Sequence, residues 1–406
     1  MISRLGLVLA LCGPAVAADL LLAPDDAAER ALSRSSDFLA AQHDQAAAIA
    51  STRSAWAFAL PQLGARAGAN RVYPLDPRSA PGFSASAGIE QHLYTPGRWD
   101  AVAATTRADR EAAQASLEAV RRDAALRARL AVERVRLTRA RLVVLTDRQH
   151  QREDEQADAE ALFAAGRTSV TEARQAAVAT FQATDAVLAG EADVTAARRE
   201  LAAAVEADGS VDARGGLSRP EGLPQLLAQA REIRGAEQRL LDARRRATAG
   251  SAGQRAANGR PQFYAGASAG TSGDRYDRTY GAWDVGAGVR WSLFDGGALQ
   301  ADEEAARWRE AAIVAREKAS ERERRLTIDL LADEIPILAK RLELAERTLA
   351  AAQENYADTR ERFRAGRLKV LDVGEAGLAV QDSELVKAQL IAREAEIAHR
   401  LRAMAE

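Results

Sequence analysis

The chain has 406 residues, enough for two or three ordinary domains, with 47% apolar and only 5% aromatic residues. Its 56 basic and 58 acidic side chains leave a formal net charge of −2, a balance that gives no electrostatic argument for nucleic acid, whose binding usually needs a clustered basic face. A chain this rich in Ala and charge and this poor in aromatics suits long, closely packed helices better than one thick globular core.

Residues 1–17 read as a secretory signal peptide. Arg4 supplies the positive start, Leu5 to Leu11 a short apolar run, and Ala15-Val16-Ala17 a small-residue cleavage site. The run is too short to span a bilayer. The sequence has one cysteine, Cys12, inside this segment, and the bulky Leu11 before it makes a poor lipid-attachment box. The expected mature chain is therefore exported, not lipidated, and free of disulfides and thiol ligands.

A first helix is expected from about Asp25 to Phe58. Two segments of strict alternation follow, within a hairpin spanning 60–94. Leu63, Ala65, Ala67 and Ala69, then Phe83, Ala85, Ala87, Ile89 and Leu93, occupy the odd positions. The even positions carry Gln62, Gly64, Arg66, Gly68 and Asn70, then Ser84, Ser86, Glu90 and His92. Period two over this length is the pattern of a strand with one apolar and one wet face, as in a transmembrane β-barrel. Polar, turn-rich loops are expected at 71–82 and 272–280, and Tyr73, Tyr94, Trp283 and Trp291 are expected near strand ends.

After Gly97 no Gly or Pro occurs until Gly166, which allows a helix about 100 Å long at 1.5 Å per residue. Ala165-Gly166-Arg167 then predicts the turn of an αα-hairpin, with Gly capping the descending helix. A returning helix runs to about Val205, and the Gly- and Pro-containing stretch 207–223 reads as a linker.

The rest of the chain repeats this plan at an offset of 200 residues. Pro24 matches Pro224, Pro61 Pro261, Gly88 Gly288, Gly97 Gly297, Gly166 Gly366 and Leu201 Leu401. The first repeat is 18–206 and the second 224–406. In the second, a helix is expected from Pro224 to Ala257, a hairpin over 261–294, a long helix over 298–364 in which Pro336 should make a local kink, and a turn at Ala365-Gly366-Arg367.

Four amphipathic strands in lipid would leave two open edges, each unpaired backbone group costing several kcal/mol. Closure needs further chains: eight strands from two copies or twelve from three. A soluble periplasmic helical spacer or adaptor would account for the helices but not for these strands. No enzyme motif appears. His43, His92, His150 and His399 lie far apart without metal-binding spacing, and "GASAGTSG" at 266–273 precedes a strand rather than a helix. No catalytic residue, cofactor site or metal site is expected.

The duplicated unit, "WSLFDGGALQADEEAA" at 291–306 and "ERFRAGRLKVLDVGEAGLAVQDSEL" at 361–385 resemble the TolC-like outer-membrane factor family over essentially the whole mature chain. The resemblance implies an α+β membrane protein: a homotrimer sharing an outer-membrane β-barrel that continues into a periplasmic α-helical barrel. It implies a passive conduit in a tripartite efflux or type I secretion system, in contact with outer-membrane lipid, a periplasmic adaptor and an inner-membrane ABC or proton-driven transporter. It places adaptor docking at Ala165, Gly166, Arg167, Ala365, Gly366 and Arg367. It places an entrance constriction at Asp372 and Glu375. The chain departs from the family at Phe363, where tyrosine often helps hold the entrance shut, and at Leu368, where an arginine can sit.

Overall fold

The computed structural model describes residues 20–72, 80–275 and 278–406; the expected signal segment, with Cys12, and Tyr73 lie outside them. Both repeats fold to the same series of elements. In the first, β1 (Leu20–Leu22) leads into α1 (Pro24–Arg34), α2 (Ser36–Trp56), β2 (Gln62–Val72), β3 (Ala80–Tyr94), α3 (Arg98–Ala164) and α4 (Val170–Ala204). In the second, β4 (Val211–Ala213) leads into α5 (Leu223–Glu232), α6 (Ala236–Asn258), β5 (Gln262–Arg275), β6 (Arg278–Arg290), α7 (Ala298–Arg364) and α8 (Val370–Ala405).

The first helix of each repeat is two helices, where one was expected. The Ser35 backbone N–H ends α1 on the Ala31 carbonyl at 2.7 Å, and the Ser35 hydroxyl then accepts the Phe38 N–H at 3.3 Å to start α2. One short polar residue serves both helix ends, as Ser is suited to do. The copy breaks between Glu232 and Ala236, with Gly235 in extended conformation before α6. Two short strands were also unforeseen: β1 and β4 pair in parallel, Leu20 to Val211 and Leu22 to Ala213, so the linker is structured and buried at 211–213. The α7 helix continues through Pro336 without ending there.

Two compact units cut across the repeats, because α3 and α7 each run through both. One unit holds 20–39, 120–233 and 325–406. It contains an apolar core for each repeat: Ala31, Val132, Val135, Leu201 and Val211 in one, Leu331, Leu338, Leu342, Ile397 and Leu401 in the other. The other unit, 40–119 and 234–324, contains the sheet with α2, α6 and the first turns of α3 and α7. Here Trp56, Phe58 and Trp99 cluster at ring separations of 5.2–6.3 Å, with Arg98 4.4 Å over the Phe58 ring.

The sheet has the antiparallel order β2-β3-β5-β6, so the two hairpins pair through β3 and β5 and leave β2 and β6 as edges. Its register places Leu63, Ile89, Ala267 and Val285 in one row across all four strands. Directly opposed residues of an antiparallel pair share a face. The odd positions therefore form one mainly apolar face, broken by Gln91 and Thr271, on which Leu63 (83%), Trp283 (79%) and Val285 (72%) are left open to solvent by this chain alone. The opposite row of Gly64, Gly88, Ser268 and Asp284 is small and polar, and the Ser268 hydroxyl donates to the Asp284 carboxylate. A register shift between His92 and Tyr94 brings Tyr94 opposite Phe263, adding it to the apolar face.

Trp283 lies within β6, not at its end; its partner Ala269 is small and leaves the indole room. The strands also extend into the expected loops: β3 starts at Ala80, and β5 and β6 pair as far as Arg275 and Arg278. The helices give no competing membrane element: among the described residues none is long and apolar enough to cross a bilayer.

Candidate functional site at the hairpin tips

Each long helix ends in the same hydrogen-bonded cap. Gly166 has φ +66° and Gly366 φ +72°, a left-handed conformation that glycine adopts without a side-chain penalty. The Gly166 N–H donates to the Phe163 carbonyl at 2.9 Å, and the Arg167 N–H reaches back to Leu162 at 2.9 Å. In the second tip, Gly366 donates to Phe363 at 2.7 Å and Arg367 to Arg362 at 3.0 Å. This pair of bonds is the Schellman arrangement, which satisfies carbonyls left over at a helix end. The returning helices start differently. Ser169 caps α4 by accepting the Glu172 N–H, whereas in α8 the Asp372 carboxylate reaches back to the Lys369 N–H at 2.9 Å.

The fold brings the two tips together. The Arg167 guanidinium donates to the Ala365 carbonyl at 2.7 Å. A Cβ on Gly366 would collide with that guanidinium, while a Cβ on Gly166 would meet nothing within 4 Å. Ala165, Gly166, Arg167, Ala365, Gly366 and Arg367 are all exposed, so the six residues expected at the docking tips form one accessible end. Asp372 and Glu375 are exposed too, just beyond it on α8.

Phe363 is only 1% exposed, packed with Ala159, Leu162, Ala176, Val370 and Val373, and Leu368 joins the same cluster. Both residues are thus spent on an apolar core inside one chain. Phe163, the repeat mate of Phe363, is 46% exposed.

Behind the tip lies an ionic cluster that sequence reading missed. Arg148 and Glu155 of α3 are buried and paired at 3.2 Å, and Arg152 pairs with Glu155 at 2.8 Å. The Tyr356 hydroxyl of α7 donates to the same carboxylate at 3.1 Å. Both arginines also donate to the Gly374 carbonyl of α8, at 3.1 and 3.3 Å. Burial lowers the Arg148 pKa, and burial with the adjacent Glu155 charge pushes Tyr356 up to about 12. Farther toward the tip, Arg360–Asp154 at 2.7 Å and Arg364–Asp158 at 2.9 Å join α7 to α3. Among the described residues no group of acidic, His or Cys side chains has the arrangement to hold a metal ion.

A search of curated protein sequences gave no match. Among solved structures, the outer membrane protein VceC from Vibrio cholerae has 18% identity and a TM-score of 0.81, over 94% of this chain and 96% of its own. The CmeC outer membrane channel of Campylobacter jejuni has 12% identity and a TM-score of 0.76, over 94% and 85% of the two chains. The open-state MtrE outer membrane channel of Neisseria gonorrhoeae has 18% identity and a TM-score of 0.74, over 94% and 88%. These likenesses establish the fold, including the union of strand hairpins with long helical hairpins. The family model for outer membrane efflux proteins matches residues 27–206 and again 222–405, one match per repeat. With both halves of the duplication accounted for, the chain belongs to the outer membrane efflux protein family, and its sheet and helical hairpins are those of an outer-membrane export channel.

Proposed function

We propose that three copies of this chain close one twelve-stranded barrel, and that their helices continue it as a periplasmic tunnel. The observation that carries this reading is the open four-stranded sheet with one mainly apolar face. Its edges β2 and β6 each expose a row of backbone donors and acceptors, which a bilayer does not tolerate unpaired. The Gly-capped tips are the docking surface for a periplasmic adaptor, through which an inner-membrane transporter feeds cargo into the tunnel. The channel itself is passive. VceC, CmeC and MtrE, described as outer-membrane proteins or channels, support the same reading by their shared fold.

Asp372 and Glu375 lie three residues apart, on one face of α8. Asp372 also caps its helix, a duty that leaves its second carboxylate oxygen and its charge available. Around one entrance, three copies gather six carboxylates, which attract cations and give multivalent cations a place to block. Asp372→Asn combined with Glu375→Gln should leave assembly intact. It should weaken cation selectivity and block by hexaamminecobalt(III) in planar-bilayer recordings. Unchanged selectivity and block in a correctly assembled double variant would remove the constriction from this end of the helices.

A further inference from the structure

We infer that Gly374 and Gly377 form a socket for Arg148 and Arg152, and that this socket is what positions the α8 segment bearing Asp372 and Glu375. The inference rests on the entrance reading above for its functional half only. Its geometric half is independent of that reading.

Gly374 stands between the two carboxylates in sequence, two residues after Asp372 and one before Glu375. Its carbonyl receives both guanidiniums. A carbonyl oxygen has two lone pairs, so it can accept from outside its own helix ladder. The absence of side chains lets the arginines in. A Cβ on Gly374 would lie 2.7 Å from Arg152 Nη1, and a Cβ on Gly377 would run into the Arg148 guanidinium. Two glycines within one helical turn cost stability unless close approach requires them, and here both face an arginine of another helix. Glu155, fully buried, holds both arginines in place, and Tyr356 fixes Glu155 in turn.

The duplication provides an internal comparison. The repeat mates of Arg148, Arg152 and Glu155 are Thr348, Ala352 and Asn355; those of Gly374 and Gly377 are Arg174 and Ala177; that of Tyr356 is Gln156. Not one position of the cluster is kept in the other repeat. The α4 helix, otherwise the structural twin of α8, therefore lacks this socket. Asp372 and Glu375 in turn correspond to Glu172 and Gln175, so the acidic pair and the socket occur on the same hairpin. Arg148 and Arg152 are thus positioning residues for the entrance: they act through the α8 backbone rather than on cargo.

The test uses the full-length assembled channel with Gly374→Ala and, separately, Arg148→Met. The methyl group displaces a guanidinium without changing any charge, and the methionine removes the guanidinium donors while keeping an unbranched apolar stem. Hydrogen–deuterium exchange should quicken about tenfold for amides of 371–377 but not for the mate segment 171–177. Hexaamminecobalt(III) block should weaken about tenfold although Asp372 and Glu375 are intact. Unchanged exchange at 371–377 in both assembled variants would overturn the socket. Faster exchange with unaltered block, where the carboxylate double variant does weaken block, would overturn the positioning role. If the carboxylate double variant leaves block unchanged, the entrance reading fails, and exchange alone decides whether the socket holds α8.

Discussion

Tyr356 is the residue whose ionisation reports most directly on the buried cluster. Burial and the Glu155 carboxylate together disfavour its phenolate, moving its pKa from 10.0 to about 12. Because the folded-state value lies above the unfolded one, the folded state holds the proton more tightly. The resulting stability is complete below about pH 10 and lost as pH rises through about 12. Spectrophotometric titration of the folded channel should show a late phenol ionisation that is absent in Tyr356→Phe. The lack of that late step in the unsubstituted channel would mean that Tyr356 is not buried against Glu155 as placed. The arginines beside it could not be recognised in the sequence. On a helix crowded with charge, Arg148 and Arg152 look like members of a solvated face. The one available signal was the pair Gly374 and Gly377 inside an otherwise regular helix, set against Arg174 and Ala177 in the other repeat.

At the scale of elements, strands and tips were legible because their signals are local. Period two runs unbroken from Leu63 to Ala69 and from Trp283 to Val289, and Gly166 and Gly366 mark the reversals. The break at Ser35 was not legible, since serine also occurs within helices and its double capping depends on backbone geometry. Nor was the pairing of β1 with β4: each is three residues long, and a parallel partner so distant in sequence leaves no periodicity to read. Tip capping could be foreseen, but Arg167 crossing to Ala365 could not, because it depends on how two hairpins meet. The sheet assignment yields a sharp contrast. Val285→Arg puts a charge on the apolar face and should cost about 2–4 kcal/mol if it sits near the bilayer midplane. A change at neighbouring Asp284, whose row is small and polar, should cost much less. The yield of folded, heat-modifiable channel in detergent checks this, and equal losses on the two faces would contradict the face assignment.

At the scale of the whole molecule, closure of the sheet is the quantity to measure. With β2 and β6 as the edges, the closure proposed above pairs β2 of each copy with β6 of a neighbour. Ala65→Cys combined in turn with Val285→Cys, Ala287→Cys or Val289→Cys should give oxidised ladders for the variant whose register matches. Those ladders should stop at three chains on denaturing gels. A stop at two would indicate an eight-stranded barrel, and no cross-link in any combination would count against edge pairing.

The unequal hairpins have a consequence for symmetry. Three chains of perfectly duplicated sequence would end in six interchangeable hairpins, and the mouth of the tunnel would have a sixfold axis. In the trimer proposed above, Phe363 buried where Phe163 is exposed, and a glycine socket present on α8 but not on α4, reduce that order to three. Such a mouth has two kinds of leaf in alternation, and within each chain the socket and the Arg360–Asp154 and Arg364–Asp158 pairs tie the α7–α8 leaf to the α3 helix of the other. While those ties hold, the two leaves of one chain move as a pair, so opening such a mouth means either breaking the ties or parting the leaves of neighbouring chains.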